Sequence, residues 1–358
     1  MKWGIAVPTD AESWKIVARA EELGFASAWF YDTQMLSADC FVAMAATAMK
    51  TSRIRLGTGV LIPSNRIAAV TANALASLNK LAPGRIDFGV GTGFTGRRAM
   101  GLGAIRMSDM AEYIRVVQGL LHNETVETEI EGKKRKIRFL NPELGLINTR
   151  DEVPLFISAY GPRGMDLTAE LGAGWMAFVT DPTGGAHWLA DMRARWEKAG
   201  RQASDLSAVA FALGCVLQDG EAYDSARAIA QAGPRAAVML HRLADEALMG
   251  LPNSTPPSSA LAEAIAGYVE LARGFEPKDA PYLENHRGHL MFVKPEERKF
   301  ITADLIRHAS FTGTEADLKS RLEALRAAGY TEFAIQIVPG QEAAIEDWAR
   351  IKRAMGPT

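Results

Sequence analysis

The chain is 358 residues long, 48% hydrophobic and 23% charged, with a formal net charge of −2 at pH 7. Acids and bases are interleaved, which excludes a surface built for nucleic acid or an anionic membrane, since both need a basic excess. Cys40 and Cys215 are the only cysteines and fit no metal or redox spacing, so each reads as a small buried hydrophobe.

Short apolar runs alternate with longer amphipathic stretches. Residues 3–7 (WGIAV) read as a strand, followed by a helix over 11–23 that stops at Gly24. The opening MKWGIAVPTD has no apolar core of signal-peptide length and no later stretch approaches a membrane span, so a soluble cytoplasmic protein is expected. Residues 27–31 (SAWFY) form a second strand before a helix near 41–50, and 54–61 a third before a helix over 67–81. Residues 85–91 form a fourth, with a helix near 107–121. Residues 154–159 and 174–179 are a fifth and sixth, each with a helix behind it. Residues 207–217 (SAVAFALGCVL) read as a seventh strand and 332–338 as an eighth, and a helix over 341–354 closes the chain.

Eight strands alternating with helices predict an α/β fold of the (β/α)8 TIM-barrel type. A doubly wound open sheet holds the same alternation. No linker-like stretch separates two halves, which favours the barrel and one domain over 1–358. Two insertions interrupt the pattern. Residues 124–141 alternate in a hairpin-like way around Glu131-Gly132. Residues 249–300 run from the proline-rich LPNSTPPSS through a helical piece at 259–273 to EPKDAPYLENHRGHLMFVKPEERKF. Insertions of that length in a compact domain are lids, binding loops or interface pieces.

Active sites of such barrels lie where the strands end, which turns the strand reading into a residue list. Asp32 follows an aromatic strand; its carboxylate either accepts a hydrogen bond from substrate or cofactor or caps the next segment. GTGVLIP (57–63) places two glycines in an apolar strand, the mark of a bulge or of something lying against bare backbone. GVGTG (89–93) either lets a ligand approach the main chain or makes a tight turn. It is not a dinucleotide fingerprint, because no helix is expected directly after the glycines. SAYGPRG (158–164) is a plain strand–helix turn or a phosphate site, with Pro162 at the first helical position and Arg163 adding charge. HRGH (286–289) is the one close histidine pair and suits proton transfer, or is structural. A metal there would need further ligands, and Glu284 and Asp279 are the acids nearby. His122, His187, His241 and His308 look isolated and structural, and no metal site is expected.

ELGFASAWFYD, TSRIRLGTGVLIPSNR and ALASLNKLAPGRIDFGVGTG, followed by VPLFISAYGPRGMDLTAELGAGWM and FTGTEADLKSRLEALRAAGYTEFAI, together resemble the bacterial luciferase-like superfamily. Those are flavin- or deazaflavin-dependent (β/α)8 oxidoreductases, and the nearest branch is the methylenetetrahydromethanopterin-reductase-like group. The resemblance implies a cis peptide bond at Gly59–Val60 backing the cofactor ring. It places Thr92 and Gly93 along the cofactor and Ala159, Tyr160 and Gly161 around its phosphate, with Arg163 on the same side. Asp32 and Thr33 then lie near the ring as polar catalytic contacts, and His286 or His289 is a general acid/base carried in by the insertion. Three positions depart from the pattern: Thr33 stands where related dehydrogenases carry histidine, Phe94 where they carry glutamate, and Ala6 where the methylene-reductases carry glutamate.

A neutral, apolar site suits a monooxygenase that uses reduced FMN from a separate flavin reductase to oxidise a small organic substrate with O2. The alternative is a hydride-transferring reductase or dehydrogenase using the deazaflavin F420, whose glutamate tail would meet Lys133, Lys134, Arg135 and Lys136, unless these are a solvated charge run. A third reading is a flavin-binding protein without activity. Relatives of this type are often homodimers.

Overall fold

The computed structural model describes residues 1–250 and 259–356, so the proline-rich stretch of the second insertion lies outside the described residues. Eight parallel strands close into a barrel: β1 (Lys2–Val7), β2 (Ser27–Phe30), β3 (Arg55–Thr58), β4 (Ile86–Val90), β5 (Leu155–Ser158), β6 (Gly174–Phe178), β7 (Ala208–Ala212) and β8 (Glu332–Gln336). Each strand pairs with its sequence neighbour, and β8 closes the ring against β1, with Lys2 opposite Glu332 and Ala6 opposite Gln336. The fold is the expected (β/α)8 barrel. Its strands are buried along nearly their whole length, as a parallel sheet covered by helices requires.

The lumen is packed solid. Ala6, Trp29, Tyr31, Met176, Val209, Phe211 and Ala334 form its cluster, joined by Val60, Phe156, Phe178 and Leu290. The glycines of β3 and β4 make room for this bulk. A Cβ on Gly57 would lie 2.4 Å from the Trp29 ring, and one on Gly59 would lie 2.8 Å from Trp29 Cβ. At the N-terminal end of the barrel, Arg55 grips Asp87 through Nη2–Oδ1 at 2.7 Å and Nε–Oδ2 at 2.9 Å. Trp29 Nε1 donates to Glu332 there at 2.8 Å. These polar contacts close the face remote from the strand ends and serve stability.

Three departures from the sequence pattern have physical causes. The seventh strand is not continuous over 207–217: β7 ends at Ala212, and Val216–Leu217 pair instead with Gly313–Thr314. Gly214 marks the break, because a Cβ there would sit 2.1 Å from the Phe311 carbonyl oxygen. A five-residue helix, Phe94–Arg98, does begin directly after the glycines of GVGTG, with Gly93 left-handed at φ +82° as its N-cap. A 23-residue helix, Ala226–Leu248, follows β7 although Pro234 lies inside it; an internal proline usually reads as a helix end.

The hairpin of the first insertion forms as expected, Val126–Ile130 antiparallel to Lys133–Ile137, along the outer side of the helix Met107–Leu121. In the second insertion the helix Ser259–Arg273 is present. Tyr268, Phe275 and Ile301 share a separate core with Leu240 and Leu243 of the 226–248 helix. The segment then crosses the barrel mouth: Gln336 Nε2 donates to the Leu290 carbonyl at 2.6 Å, and Tyr31 Oη donates to Gln336 Oε1 at 3.0 Å. No helix among the described residues is long and apolar enough to cross a membrane.

Candidate active site

Residues at the strand ends fall into three groups. The first is the turn after β2. Asp32 is buried, 3% exposed, and its oxygens are taken by this chain's own groups. Arg66 Nη1 donates to both of them at 2.8 and 2.9 Å, and the Ile62 amide and Asn65 Nδ2 donate at 3.1 Å each. The Cys40 thiol points at the same carboxylate from 3.6 Å. Asp32 therefore ties the β3 exit loop to β2. The following helix, Cys40–Ala48, is capped not by Asp32 but by Asp39, which accepts from the Phe41 and Val42 amides. Thr33 Oγ1 lies 2.7 Å from Ser37 Oγ, closing its own turn. The Gly59–Val60 peptide bond is cis. The Gly59 side of that bond faces Trp29 and Phe211, so the glycine is required by barrel packing.

The second group surrounds the exits of β4 to β6. The Thr92 carbonyl accepts from the Ile105 amide at 3.2 Å, and Gly93 turns the chain into its short helix. Ala159 is buried, with its carbonyl accepting Trp175 Nε1 at 2.8 Å. Tyr160 is 51% exposed; its ring sits edge-on to Trp188 at 5.7 Å. Its hydroxyl oxygen accepts the Phe178 amide proton at 2.7 Å, and the enclosure of that oxygen pushes the phenol pKa up. Tyr160→Phe should cost about 1 kcal/mol, read by urea denaturation, because the Phe178 amide loses its partner. Gly161 is the N-cap of helix Pro162–Leu171, with no side chain capping it. A Cβ on Gly161 would meet nothing within 4 Å, so open space lies beside Gly161, and Arg163 is exposed next to it.

The third group comes from the helix 226–248 and the second insertion, and most of it was invisible in the sequence. His286 and His289 are buried, not surface residues, and His241 joins them although it looked isolated. His241 Nδ1 lies 3.2 Å from His289 Nδ1, and His286 Nδ1 lies 3.5 Å from the same atom. Their outer nitrogens are held: His241 Nε2 by Glu297 at 3.0 Å, His286 Nε2 by Asp245 at 3.0 Å, His289 Nε2 by Thr95 Oγ1 at 3.2 Å. Burial pushes the His289 imidazole well below the ordinary range, with the neighbouring His241, His286, Arg235 and Arg98 adding to the shift. Burial works to raise the Asp245 and Glu297 carboxyls, but His286 with Arg98, and His241 with Lys294, hold both below it.

Arg235, six residues before His241 on the same helix, reaches the mouth itself. Its guanidinium lies 4.6 Å from the centroid of Phe178, at the end of β6. Its Nε is buried without a hydrogen-bond partner, and no carboxylate pairs with it among the described residues. Burial lowers its pKa to about 10, so it stays charged at neutral pH. The residue as a whole is half-buried, with its Nε as the enclosed part. The sequence carried one weak signal for this group: the i, i+4 pair His241–Asp245 on the apolar side of a long helix.

Open space beside Gly161, a half-exposed aromatic at one rim and an arginine over the mouth thus lie together at the strand ends, the face on which barrels of this type carry their sites. The chain belongs to the luciferase-like monooxygenase family, which residues 8–332 match. It is 25% identical to the 5,10-methylenetetrahydromethanopterin reductase of Archaeoglobus fulgidus over 342 residues, covering 93% of this chain and 92% of that one. It is 29% identical to the reductase of the same name from Methanolobus tindarius, of which it covers 63%, under two thirds, using 59% of its own length. With the F420-dependent glucose-6-phosphate dehydrogenase of Kineococcus radiotolerans it shares 32% identity over 44% of this chain and 49% of that enzyme. Among solved structures, the F420-dependent tetrahydromethanopterin reductase of Methanopyrus kandleri superposes with TM-score 0.67 at 21% identity, over 98% and 97% of the two chains. The monooxygenase RslO1 of Streptomyces bottropensis gives 0.61 at 19%, over 98% of each. Both structural likenesses concern the fold.

Proposed function

We propose that this oxidoreductase uses the deazaflavin F420 and moves a hydride between it and a small organic substrate at the barrel mouth. The observation that carries this reading is Arg235. Hydride transfer to or from a carbonyl-like centre places negative charge on a substrate atom, and a preorganised cation at the mouth stabilises that charge as it develops. The reading of the mouth as neutral and apolar, which favoured a reduced-FMN monooxygenase, rested on Thr33, Phe94 and Ala6. Arg235 and the Tyr160 hydroxyl give that mouth a cation and a proton donor. The F420-dependent enzymes among the relatives support the same choice.

The residues fit the cofactor. Gly161 and Arg163, at the start of the helix Pro162–Leu171, would hold its phosphate, and Val60 and Tyr160 would contact its ring. F420, when bound, supplies the hydride acceptor or donor. Arg235 orients the substrate and stabilises charge on its reacting oxygen. Tyr160 keeps a proton available at Oη, because its oxygen already accepts from Phe178 and its raised pKa holds that proton at neutral pH.

Titration of the purified chain with F420 and FMN side by side tests this. F420 should bind at least about tenfold more tightly, a difference of about 1.4 kcal/mol. Tighter binding of FMN, with substrate-dependent oxygen uptake when reduced FMN is supplied, would replace this reading with the monooxygenase.

A further inference from the structure

The geometry points to a three-histidine site for a divalent first-row transition ion of the zinc class, formed by Nδ1 of His241, His286 and His289. This goes beyond the proposed reaction and does not depend on it. The three ligand atoms lie within 4.8 Å of one another and all three residues are buried. Zn–N bonds of about 2.0–2.1 Å in a tetrahedron set neighbouring nitrogens about 3.3–3.4 Å apart. Two of the three separations are 3.2 and 3.5 Å, both measured to His289 Nδ1, and the third, between His241 and His286, is at most 4.8 Å, so binding draws these two rings together.

The hydrogen bonds orient the lone pairs inward. A carboxylate only accepts, so Glu297 requires a proton on His241 Nε2 and Asp245 requires one on His286 Nε2. A neutral imidazole so placed presents a bare lone pair at Nδ1. Two lone pairs then face His289 Nδ1, which has at most one proton to share between them. An ion at the centre resolves this: His289 donates its Nε2 proton to Thr95 Oγ1, and all three Nδ1 atoms become ligands. Carboxylates behind ligating histidines are the usual outer partners of such sites, fixing tautomer and ring direction.

Among the described residues no fourth histidine, cysteine, aspartate or glutamate joins the group. Arg98 already offsets Asp245 and Lys294 already offsets Glu297, with Arg235 also near His289. The ion's charge is therefore left for a small anion, hydroxide first, in the fourth position. The ion would pin the insertion carrying His286 and His289 to the helix carrying His241, and so hold Leu290 in the barrel mouth.

The test uses the full chain, stripped with a chelator and titrated with Zn2+ and Co2+, with Mg2+ and Ca2+ as controls. One zinc per chain should bind, Co2+ should develop the visible absorption of a tetrahedral nitrogen-ligated ion, and the melting temperature should rise with zinc concentration. His289→Ala and His286→Ala should each weaken binding by more than about 100-fold, and Asp245→Asn by about 10–100-fold. His187→Ala, at an exposed histidine outside the cluster, should leave it unchanged. Wild-type chain that binds no zinc, or zinc binding that survives both cluster substitutions, overturns the site and leaves a hydrogen-bonded histidine triad. No deazaflavin is needed for any readout, so failure here is separate from failure of the F420 reading.

Discussion

Arg235→Met should lower kcat/KM by about 10²–10³-fold, the loss expected when one preorganised donor to developing charge is removed. The same variant should bind F420 normally and should be no less stable than wild type. Arg235 is half-buried with no carboxylate partner among the described residues, and replacing such a charge with an apolar side chain of similar length is close to neutral. Activity thus falls while stability holds if Arg235 serves the reaction. If its role is only to stack on Phe178 (4.6 Å), stability should instead fall by about 0.5–2 kcal/mol while kcat/KM stays within a few-fold. Steady-state kinetics and thermal unfolding of the same preparation separate the two. Arg235→Lys should recover part of the activity, since charge returns without the planar fork.

Asp32→Ala should lower the unfolding free energy by about 3–5 kcal/mol, measured by denaturant titration. The substitution strands Arg66, which is 16% exposed, and removes the acceptor of the Ile62 amide and of Asn65 Nδ2. Arg66 keeps a second partner in Asp39, which places the loss toward the lower end. Asp32→Asn should cost less, because an amide oxygen still accepts from the Ile62 amide. In the folded fraction, kcat of Asp32→Asn should fall by less than the ~10²-fold that loss of a general acid or base gives. A larger fall would mean that Asp32 meets the reacting atoms, a role its fully engaged oxygens argue against.

The contrast between Asp32 and Arg235 shows where sequence reasoning works. Asp32 drew attention because a carboxylate after an aromatic strand is conspicuous, yet its partners come from the next strand's exit loop, 30 to 34 residues on. Arg235 drew none, because it sits in a helix whose internal Pro234 hides the helical pattern. The strand ends at Gly59, Gly93 and Gly161 were legible because glycine and proline at a strand–helix junction carry local backbone meaning. The Gly59–Val60 peptide bond is cis, as the resemblance implied.

The sequence by itself determined the barrel. Short continuous apolar runs bounded by turns, with amphipathic stretches of period 3.6 between them, are a local property, and eight such units leave few ways to bury every strand. Tertiary structure alone decided the chemistry of the mouth. His241 and His289 are 48 residues apart in the chain and 3.2 Å apart in space. Arg235 meets Phe178 across two elements. Hydrogen bonds, ion pairs and ligand geometry depend on through-space distance between separate elements, and no pattern along one element encodes that distance.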